Sequence, residues 1–352
     1  MVILGIDTSC DDTGIGVVRS GEVLSSVVAS QTALHEPYGG VLPEAASREH
    51  LRVIRTVKRQ ALLEAGVEPH EVELVAATRG PGLVGALLVG LNFGKALAFA
   101  LDVPFLGINH LEGHIASSVV GGTLEPPFLA LIASGGHTSL FRVAAWGSYE
   151  ELGRTRDDAA GEAFDKVARQ LGLPYPGGAA LSQLAAGGDA GALQLPRPLL
   201  GQAGYDFSFS GLKTAVATLL DRQPDAAPAD VAAAFQEVVV DALQRTVRRA
   251  VEATSIRQVS VAGGVAANDR LREVMLAEPY GVHFPPLSLS ADNGAMIALA
   301  ADHLLRSGSR SLTEEQFGLD ALPYFPLAGD GSGASGGRQL PGRVHVGSEA
   351  GV

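Results

Sequence analysis

Two histidines four residues apart, in His110-Leu111-Glu112-Gly113-His114, are the residues of this sequence best placed to do chemistry. On a helix that spacing stacks both imidazoles on one face, one turn apart. Two neutral imidazole nitrogens so arranged can chelate one transition metal. With 9 histidines in the chain, such a pair also arises by chance as two unrelated side chains. The flanking sequence favours the metal. Val103-Pro104-Phe105-Leu106-Gly107-Ile108-Asn109 is a short apolar run of the buried-strand type. The pair therefore begins a helix at the carboxyl end of a strand, where α/β folds bind ligands. Glu112 invites comparison with the zinc proteases, whose Glu directly follows the first His. Glu112 comes two residues on and, at about 100° per residue, points off the histidine face. General-base work by Glu112 on a metal-bound water does not follow.

Other stretches carry weaker signals. Asp7-Thr8-Ser9-Cys10-Asp11-Asp12-Thr13-Gly14 joins two apolar strands, Met1 to Ile6 and Ile15 to Val18. Such a turn can turn amides and carboxylates toward a phosphate, metal or nucleophile, or be an ordinary polar turn. The pattern returns as strand Phe128 to Ala133, turn Ser134-Gly135-Gly136-His137-Thr138-Ser139 and strand Leu140 to Val143. The bare backbone of Gly135-Gly136 admits close approach of a ligand, and His137 is either a ligand contact or a hairpin residue. The repeat suggests two α/β halves, each opened by such a hairpin. Gly263-Gly264-Val265-Ala266-Ala267-Asn268 follows strand Val259 to Ala262 and opens a helix, a nucleotide-friendly arrangement.

Residues 72–110 read as strand, helix, strand, with the turn Arg79-Gly80-Pro81-Gly82 opening a helix whose N-terminus could hold an anion. Asp157 to Ala168 reads as a helix with an acidic first turn, in which Asp165 lies too deep to be a cap. The glycines of Pro174-Tyr175-Pro176-Gly177-Gly178 should need open backbone geometry. Asp292, before the last strong helix, is either its N-cap or a third metal ligand. Arg48, Arg52, Arg55 and Arg59 recur at spacings of four, three and four, giving a basic helix face that is either solvated or a phosphate-backbone contact.

Composition bounds the rest. With 352 residues, 46% hydrophobic and 18% charged, the chain has room for two domains and a large core. The net charge of −12 gives no general attraction for nucleic acid, so an RNA substrate would need a local basic patch or a partner. The single cysteine, Cys10, excludes an intrachain disulfide and reads as a buried thiol rather than a nucleophile. No signal peptide is expected. The stretch Leu83 to Leu101 is long enough to span a bilayer, but Asn92 and Lys95 interrupt it and strands flank it, so a helix buried between layers is expected and no membrane is called for.

Five motifs then occur in one order: His110-Leu111-Glu112-Gly113-His114, Ser134-Gly135-Gly136-His137-Thr138, Asp158-Ala159-Ala160-Gly161-Glu162-Ala163-Phe164-Asp165-Lys166, Asp206-Phe207-Ser208-Phe209-Ser210-Gly211-Leu212-Lys213 and Asp292-Asn293-Gly294-Ala295. Together they resemble the tRNA threonylcarbamoyladenosine transferase family, once labelled O-sialoglycoprotein endopeptidases, over residues 1–325. The resemblance implies an α/β, two-lobed fold of the actin, hexokinase and Hsp70 ATPase type with duplicated halves. The first lobe would be 1–126, closed by a C-terminal helix over 293–325. The second lobe would be 127–292 with helical insertions, followed by a disordered Gly/Ser-rich tail over 328–352.

It further implies transfer of threonylcarbamoyl from its adenylate, threonylcarbamoyl-AMP, to the N6 amine of the adenosine 3′ of the anticodon, in tRNAs reading codons that begin with adenine. His110, His114 and Asp292 would hold one divalent metal, Fe(II) or else Zn(II). Ile132, Ala133, Ser134, Gly135, Gly136, His137, Asp165, Gly178 and Asn268 would contact the substrate. The expected partners are a same-fold paralogue subunit and a small ATPase, in the cytoplasm. Asp7 and Asp12 stand where the family often has Glu, and Asp11 is the candidate to deprotonate the amine. The rival readings are a sugar kinase or ATPase of the same fold, a metalloprotease, and a silent scaffold subunit that would lack the metal residues.

Overall fold

The computed structural model describes residues 1–121 and 124–328. The first half runs β1 (Val2–Asp7), β2 (Asp12–Arg19), β3 (Glu22–Ser30), α1 (Thr32–His35), α2 (Pro43–Ala65), β4 (Leu74–Gly80), α3 (Val84–Leu101), β5 (Phe105–Asn109) and α4 (His110–Ser117). The second runs β6 (Phe128–Ala133), β7 (Thr138–Ala145), β8 (Ser148–Arg154), α5 (Ala160–Gln170), α6 (Gly177–Ala185), α7 (Ser210–Arg222), α8 (Pro228–Thr254), β9 (Gln258–Ala262), α9 (Asp269–Leu276), β10 (Gly281–His283) and α10 (Gly294–Arg306).

The strands form two five-stranded sheets, ordered β3-β2-β1-β4-β5 and β10-β9-β6-β7-β8. These are the same topology. In each, an antiparallel hairpin extends to a third strand on one side, and the hairpin's first strand takes a parallel neighbour on the other. The duplicated hairpins of the sequence are therefore the seeds of two like halves.

Successive side chains of a strand point to opposite faces, and on β1 and β6 both faces are buried, in different cores. On β1, Val2, Leu4 and Ile6 face α2 and α3, while Ile3 faces the layer between the sheets. On β6, Leu129, Leu131 and Ala133 join the core made with α5 to α9, while Phe128, Ala130 and Ile132 point into the same middle layer. That layer is filled by α4 and α10, packed against each other. Each fully buried Leu or Ile stabilises by roughly 1.5–3 kcal/mol.

The helix α10 approaches its sheet unusually closely. A Cβ on Gly5 would lie 2.2 Å from the Gly294 carbonyl oxygen, and one on Gly16 would lie 2.4 Å from the Ala295 nitrogen. Only hydrogen side chains on β1 and β2 leave room for a helix backbone at that distance.

Several expectations need correction. The last helix was expected over 293–325 but ends at Arg306, because Ser307 caps it and Gly308 takes a φ of 72°. Residues 307–325 have one short 3-10 turn and lie along the edge of the first sheet, with Leu322 N–H donating to Arg79 O. The Gly/Ser-rich tail beyond Ala328 lies outside the described residues.

Helix α3 was expected buried between layers; it is on the outside of the first sheet. Ala86, Leu87, Gly90, Leu91, Gly94 and Ala98 are buried, whereas Phe99 is 81% exposed. It is long and apolar enough to cross a bilayer, yet one face is fastened to β4 and α2. Just ahead of its N-terminus, Leu83 N–H donates to Ser9 O at 2.8 Å and Gly82 N–H to Pro323 O at 3.2 Å.

The acidic run at Asp157 lies before its helix, not in the first turn. α5 starts at Ala160, and Asp157 instead accepts from Phe209 N–H and Ser210 N–H, at 2.7 and 3.1 Å, and so caps α7. Gly177 and Gly178 begin α6 with helical geometry. Gly177 is needed for room, since its Cβ would lie 2.2 Å from the Ala168 Cβ.

Candidate metal centre

Helix α4 starts where it does because Asn109 caps it. Asn109 Oδ1 accepts from Leu111 N–H at 2.9 Å, and Glu112 Oε2 accepts from Asn109 N–H at 3.4 Å. This is a capping box, and it accounts for Glu112, a buried carboxylate occupied with the helix end and off the histidine face. His110 and His114 then stack one turn apart, ring centroids 4.7 Å apart and planes at 78°.

The third member comes from the other end of the chain. Asp292 Oδ1 lies 3.2 Å from His114 Nε2 and 3.6 Å from His110 Nε2. Asp292 is not the N-cap of α10; Asn293 does that work, its Oδ1 accepting from Met296 N–H at 2.9 Å. Asp292 is thereby left to face the imidazoles. One helix follows the last strand of the first half, the other the last strand of the second, and their N-terminal ends meet here.

The three side chains offer ligand atoms all within 4.8 Å of one another and could hold a metal ion. The hydrogen bonding fits a cation. His114 has no exposed surface, and neither of its ring nitrogens has a hydrogen-bond partner among the described residues, although Nε2 abuts a carboxylate. An unsatisfied buried polar group costs about 1–3 kcal/mol, which coordination would remove. Two imidazoles and one carboxylate suit Fe(II) or Zn(II).

The field at the site favours positive charge. Burial would push the His110 imidazole down, but the Asp292 and Asp7 carboxylates outweigh it and carry it up to about 9. Burial would likewise raise Asp292, but the facing histidines hold its carboxyl well below the usual range. His137 lies 6.3 Å from His110, ring centre to ring centre, outside the three-residue set. Burial first, then the neighbouring histidines, push it down to about 4, so it is neutral. Its N–H donates to Ser134 Oγ at 3.1 Å, which makes it a hairpin residue that also borders the site.

The β6–β7 turn opens beside the cluster. Gly135 and Gly136 are exposed, and nothing lies within 4 Å of where their Cβ atoms would be. Ile132 and Ala133 are fully buried core residues that position this turn with their ladder bonds. Asp165 Oδ1 accepts from Gly177 N–H at 2.7 Å, so Asp165 and Gly178 meet at the start of α6. Asn268 caps α9 through Leu271 N–H and donates to Ser182 Oγ at 2.6 Å and Gln236 Oε1 at 2.8 Å. Ser182 lies on α6, so Asp165, Gly178 and Asn268 gather round one helix. Sequence reading passed over Ser182 and Gln236, which carry no motif of their own.

The opening turn also borders the cluster, with Asp7 Oδ1 3.4 Å from His110 Nδ1. His50 on α2 faces Cys10 O at 3.0 Å and Thr13 Oγ1 at 2.7 Å, and Thr8 hydroxyl donates to Ala86 O at 2.8 Å. Burial pushes the Cys10 thiol well above its usual range, so it is no thiolate nucleophile. Burial first, then the charges of Asp11, Asp292 and Asp7, push Asp12 up to about 7, against a lowering contribution from Ser30. The folded chain thus binds a proton between about pH 4 and 7 that the unfolded chain releases, and stability falls as pH rises through that window. Asp12→Asn should therefore stabilise the metal-free protein at pH 8 by on the order of 3 kcal/mol, and much less at pH 4. Urea unfolding at both pH values checks this; an equal difference at the two would exclude charge burial as the cause.

Arg48, Arg52, Arg55 and Arg59 are exposed along α2, as their spacing requires. Arg52 pairs with Glu49 and Arg48 with Glu44. Arg52, Arg55, Lys58 and Arg59 border a groove of about 590 Å³ against Phe93 and Leu97 of α3.

The family described as TsaD, tRNA N6-adenosine threonylcarbamoyltransferase, matches residues 22–299. A protein of that name from Thermus thermophilus is 55% identical over 328 residues, covering 93% of this chain and 99% of that one. The chain belongs to the tRNA N6-adenosine threonylcarbamoyltransferase family. A relative of the same name from Geotalea uraniireducens is 51% identical, covering 93% of this chain and 97% of that one. The enzyme is accordingly an acyltransferase that modifies tRNA.

Solved structures agree on the fold. Full-length HypF in its phosphate- and nucleotide-bound form matches with a TM-score of 0.59 at 16% identity, covering 88% of this chain and 56% of that one. Component A of the Acidaminococcus fermentans (R)-2-hydroxyglutaryl-CoA dehydratase matches at 0.54 and 15%, covering 88% and 99%. The architecture is the two-lobed actin and hexokinase type expected from the sequence. The family and the site together set aside the protease and scaffold readings.

Proposed function

We propose that this enzyme takes threonylcarbamoyl from threonylcarbamoyl-AMP and places it on the N6 amine of the adenosine 3′ of the anticodon, in tRNAs reading codons that begin with adenine. The observation that carries the reading is the meeting of His110, His114 and Asp292 beside the open Gly135-Gly136 turn, in a chain of this family. Lobe boundaries near residues 126 and 292 are part of the same proposal.

Bound at the three-residue set, Fe(II), or Zn(II) in its place, would supply Lewis acidity toward the oxygens of the donor. The chain's own residues do the rest. Amides of Gly135 and Gly136 neutralise the adenylate phosphate, and the exposed glycines let it come close. Asp165, Gly178 and Asn268, gathered at α6, take the nucleoside, with His137 at the rim. Asp11 on the facing turn accepts the proton of the adenosine amine as it attacks the carbamoyl carbon and AMP leaves.

The test is direct. The protein, a divalent metal, partner subunits, threonylcarbamoyl-AMP and unmodified tRNA are incubated, and the nucleosides of the digested tRNA are separated. Threonylcarbamoyladenosine is expected; its absence with every component present defeats the proposal.

The partners we infer are a same-fold paralogue and a small ATPase, and the setting is the cytoplasm. At a net charge of −12, long-range repulsion of RNA has to be overcome locally. The α2 arginines are the local patch. Arg52→Glu with Arg55→Glu should raise the tRNA concentration needed for half-maximal rate about tenfold at low salt, with little change at saturation. An unchanged dependence would return these arginines to the solvent.

A further inference from the structure

Asp7 ends β1 with only 1% of its surface exposed, and its carboxylate is held from two sides. Thr78 hydroxyl donates to Oδ1 at 2.5 Å and Ser9 hydroxyl to Oδ2 at 3.1 Å. Oδ1 is also 3.4 Å from Nδ1 of His110. That nitrogen is buried and has no formed hydrogen bond among the described residues, so Asp7 is the carboxylate that faces it. The other nitrogen of the same ring, Nε2, faces Asp292. An imidazole turned between two carboxylates has one nitrogen to keep its proton and one to give a lone pair, and the fixed neighbour decides which.

We propose that Asp7 is a positioning residue for the metal centre, holding the proton of His110 on Nδ1 and so presenting the Nε2 lone pair to the ion. It touches neither ion nor substrate. A carboxylate behind a metal-bound imidazole fixes its tautomer and orientation and increases its basicity. The arrangement is one-sided: His114 has no such neighbour, since its Nδ1 is buried without a partner among the described residues. Thr78 belongs to the device because it pins the oxygen that faces His110. β1 and β4 pair in parallel and place the two side chains together at their ends. The inference rests on the metal reading of His110, His114 and Asp292 made above.

The experiment measures the affinity of the full chain for Zn²⁺ by competition with a chelator of known affinity, apart from any transfer assay. Asp7→Asn keeps the shape and removes the charge. It should weaken Zn²⁺ binding by about 10- to 100-fold. Made in a His110→Ala background, where no ring remains to position, it should change the affinity less than twofold. A buried carboxylate with a merely structural part would not show that dependence on His110.

Circular dichroism and thermal unfolding of the metal-free proteins report whether each variant is folded. Should Asp7→Asn not fold, Thr78→Val reads the same coupling, with an expected loss of about fivefold. Parent-like Zn²⁺ affinity in a folded Asp7→Asn protein overturns the assignment, as does an equal loss in both backgrounds. A parent chain that binds no Zn²⁺ instead defeats the metal reading itself, which keeps the two failures apart.

Discussion

His114→Ala should leave the protein folded, strip it of its metal and lower the transfer rate at least about 100-fold. The imidazole lies wholly inside, 3.2 Å from Asp292 and on the same helix face as His110. Alanine suits the helix, so the backbone of α4 should survive the change. The set then falls to one imidazole and one carboxylate, whose weakened hold should not retain the ion through gel filtration. Neither remaining residue can move in to compensate, because His110 begins the capped end of α4 and Asp292 immediately precedes the Asn293 cap of α10. Elemental analysis after gel filtration, beside the tRNA assay, checks both halves. A stoichiometric ion with a rate within tenfold of the parent would show that these residues do not form the centre.

Gly5→Ala should lower the melting temperature by about 4 °C, corresponding to roughly 3 kcal/mol of overpacking. The added methyl would meet the Gly294 carbonyl oxygen at 2.2 Å, the Ala298 nitrogen at 2.5 Å and the Ala298 Cβ at 2.9 Å. Two of these are main-chain atoms of α10, which no rotamer change can move aside. The helix must lift from β1. Because Asp292 sits just ahead of that helix, lifting α10 draws the carboxylate away from His110 and His114. A displacement of about 1 Å at a reacting site can cost 100-fold in rate. Metal affinity should therefore fall together with stability. Calorimetry with a Zn²⁺ titration of the same sample tests the coupling; a stability loss with undiminished affinity would show that the helix position does not set the site.

Much of the molecule was legible in the chain. The continuous apolar runs of β1 and β6, each followed by a small-residue turn and a second strand, marked the two hairpins, and their recurrence announced two like halves. The spacing of His110 and His114 fixed a shared helix face, because 3.6 residues per turn leaves no other arrangement. The offset of Glu112 removed it from that face for the same reason. Asp292 could be read equally as cap or ligand, since both need a short carboxylate before a helix. Only the structure separates them, by giving the cap to Asn293.

The wrong expectations share a cause. Asp157 looked like a helix's own first turn but caps α7, more than fifty residues away in sequence. The Gly177 side chain is absent for lack of room beside Ala168, not for a special backbone angle. Helix α3 is apolar apart from Asn92 and Lys95, yet its place on the outer face of a sheet leaves Phe99 in solvent. In each case local pattern gave the residue's character and the partner lay elsewhere in the chain.

Sequence by itself thus determined the secondary structure that carries the histidines, the doubled α/β plan and the family, because these follow from periodicity and from motifs read along one dimension. The tertiary structure decided what the resemblance only implied for residues 110, 114 and 292, that they share one small volume, and it alone added residue 7. Their meeting depends on how closely α10 can settle on the glycines of β1 and β2, a matter of contact distances between segments nearly three hundred residues apart.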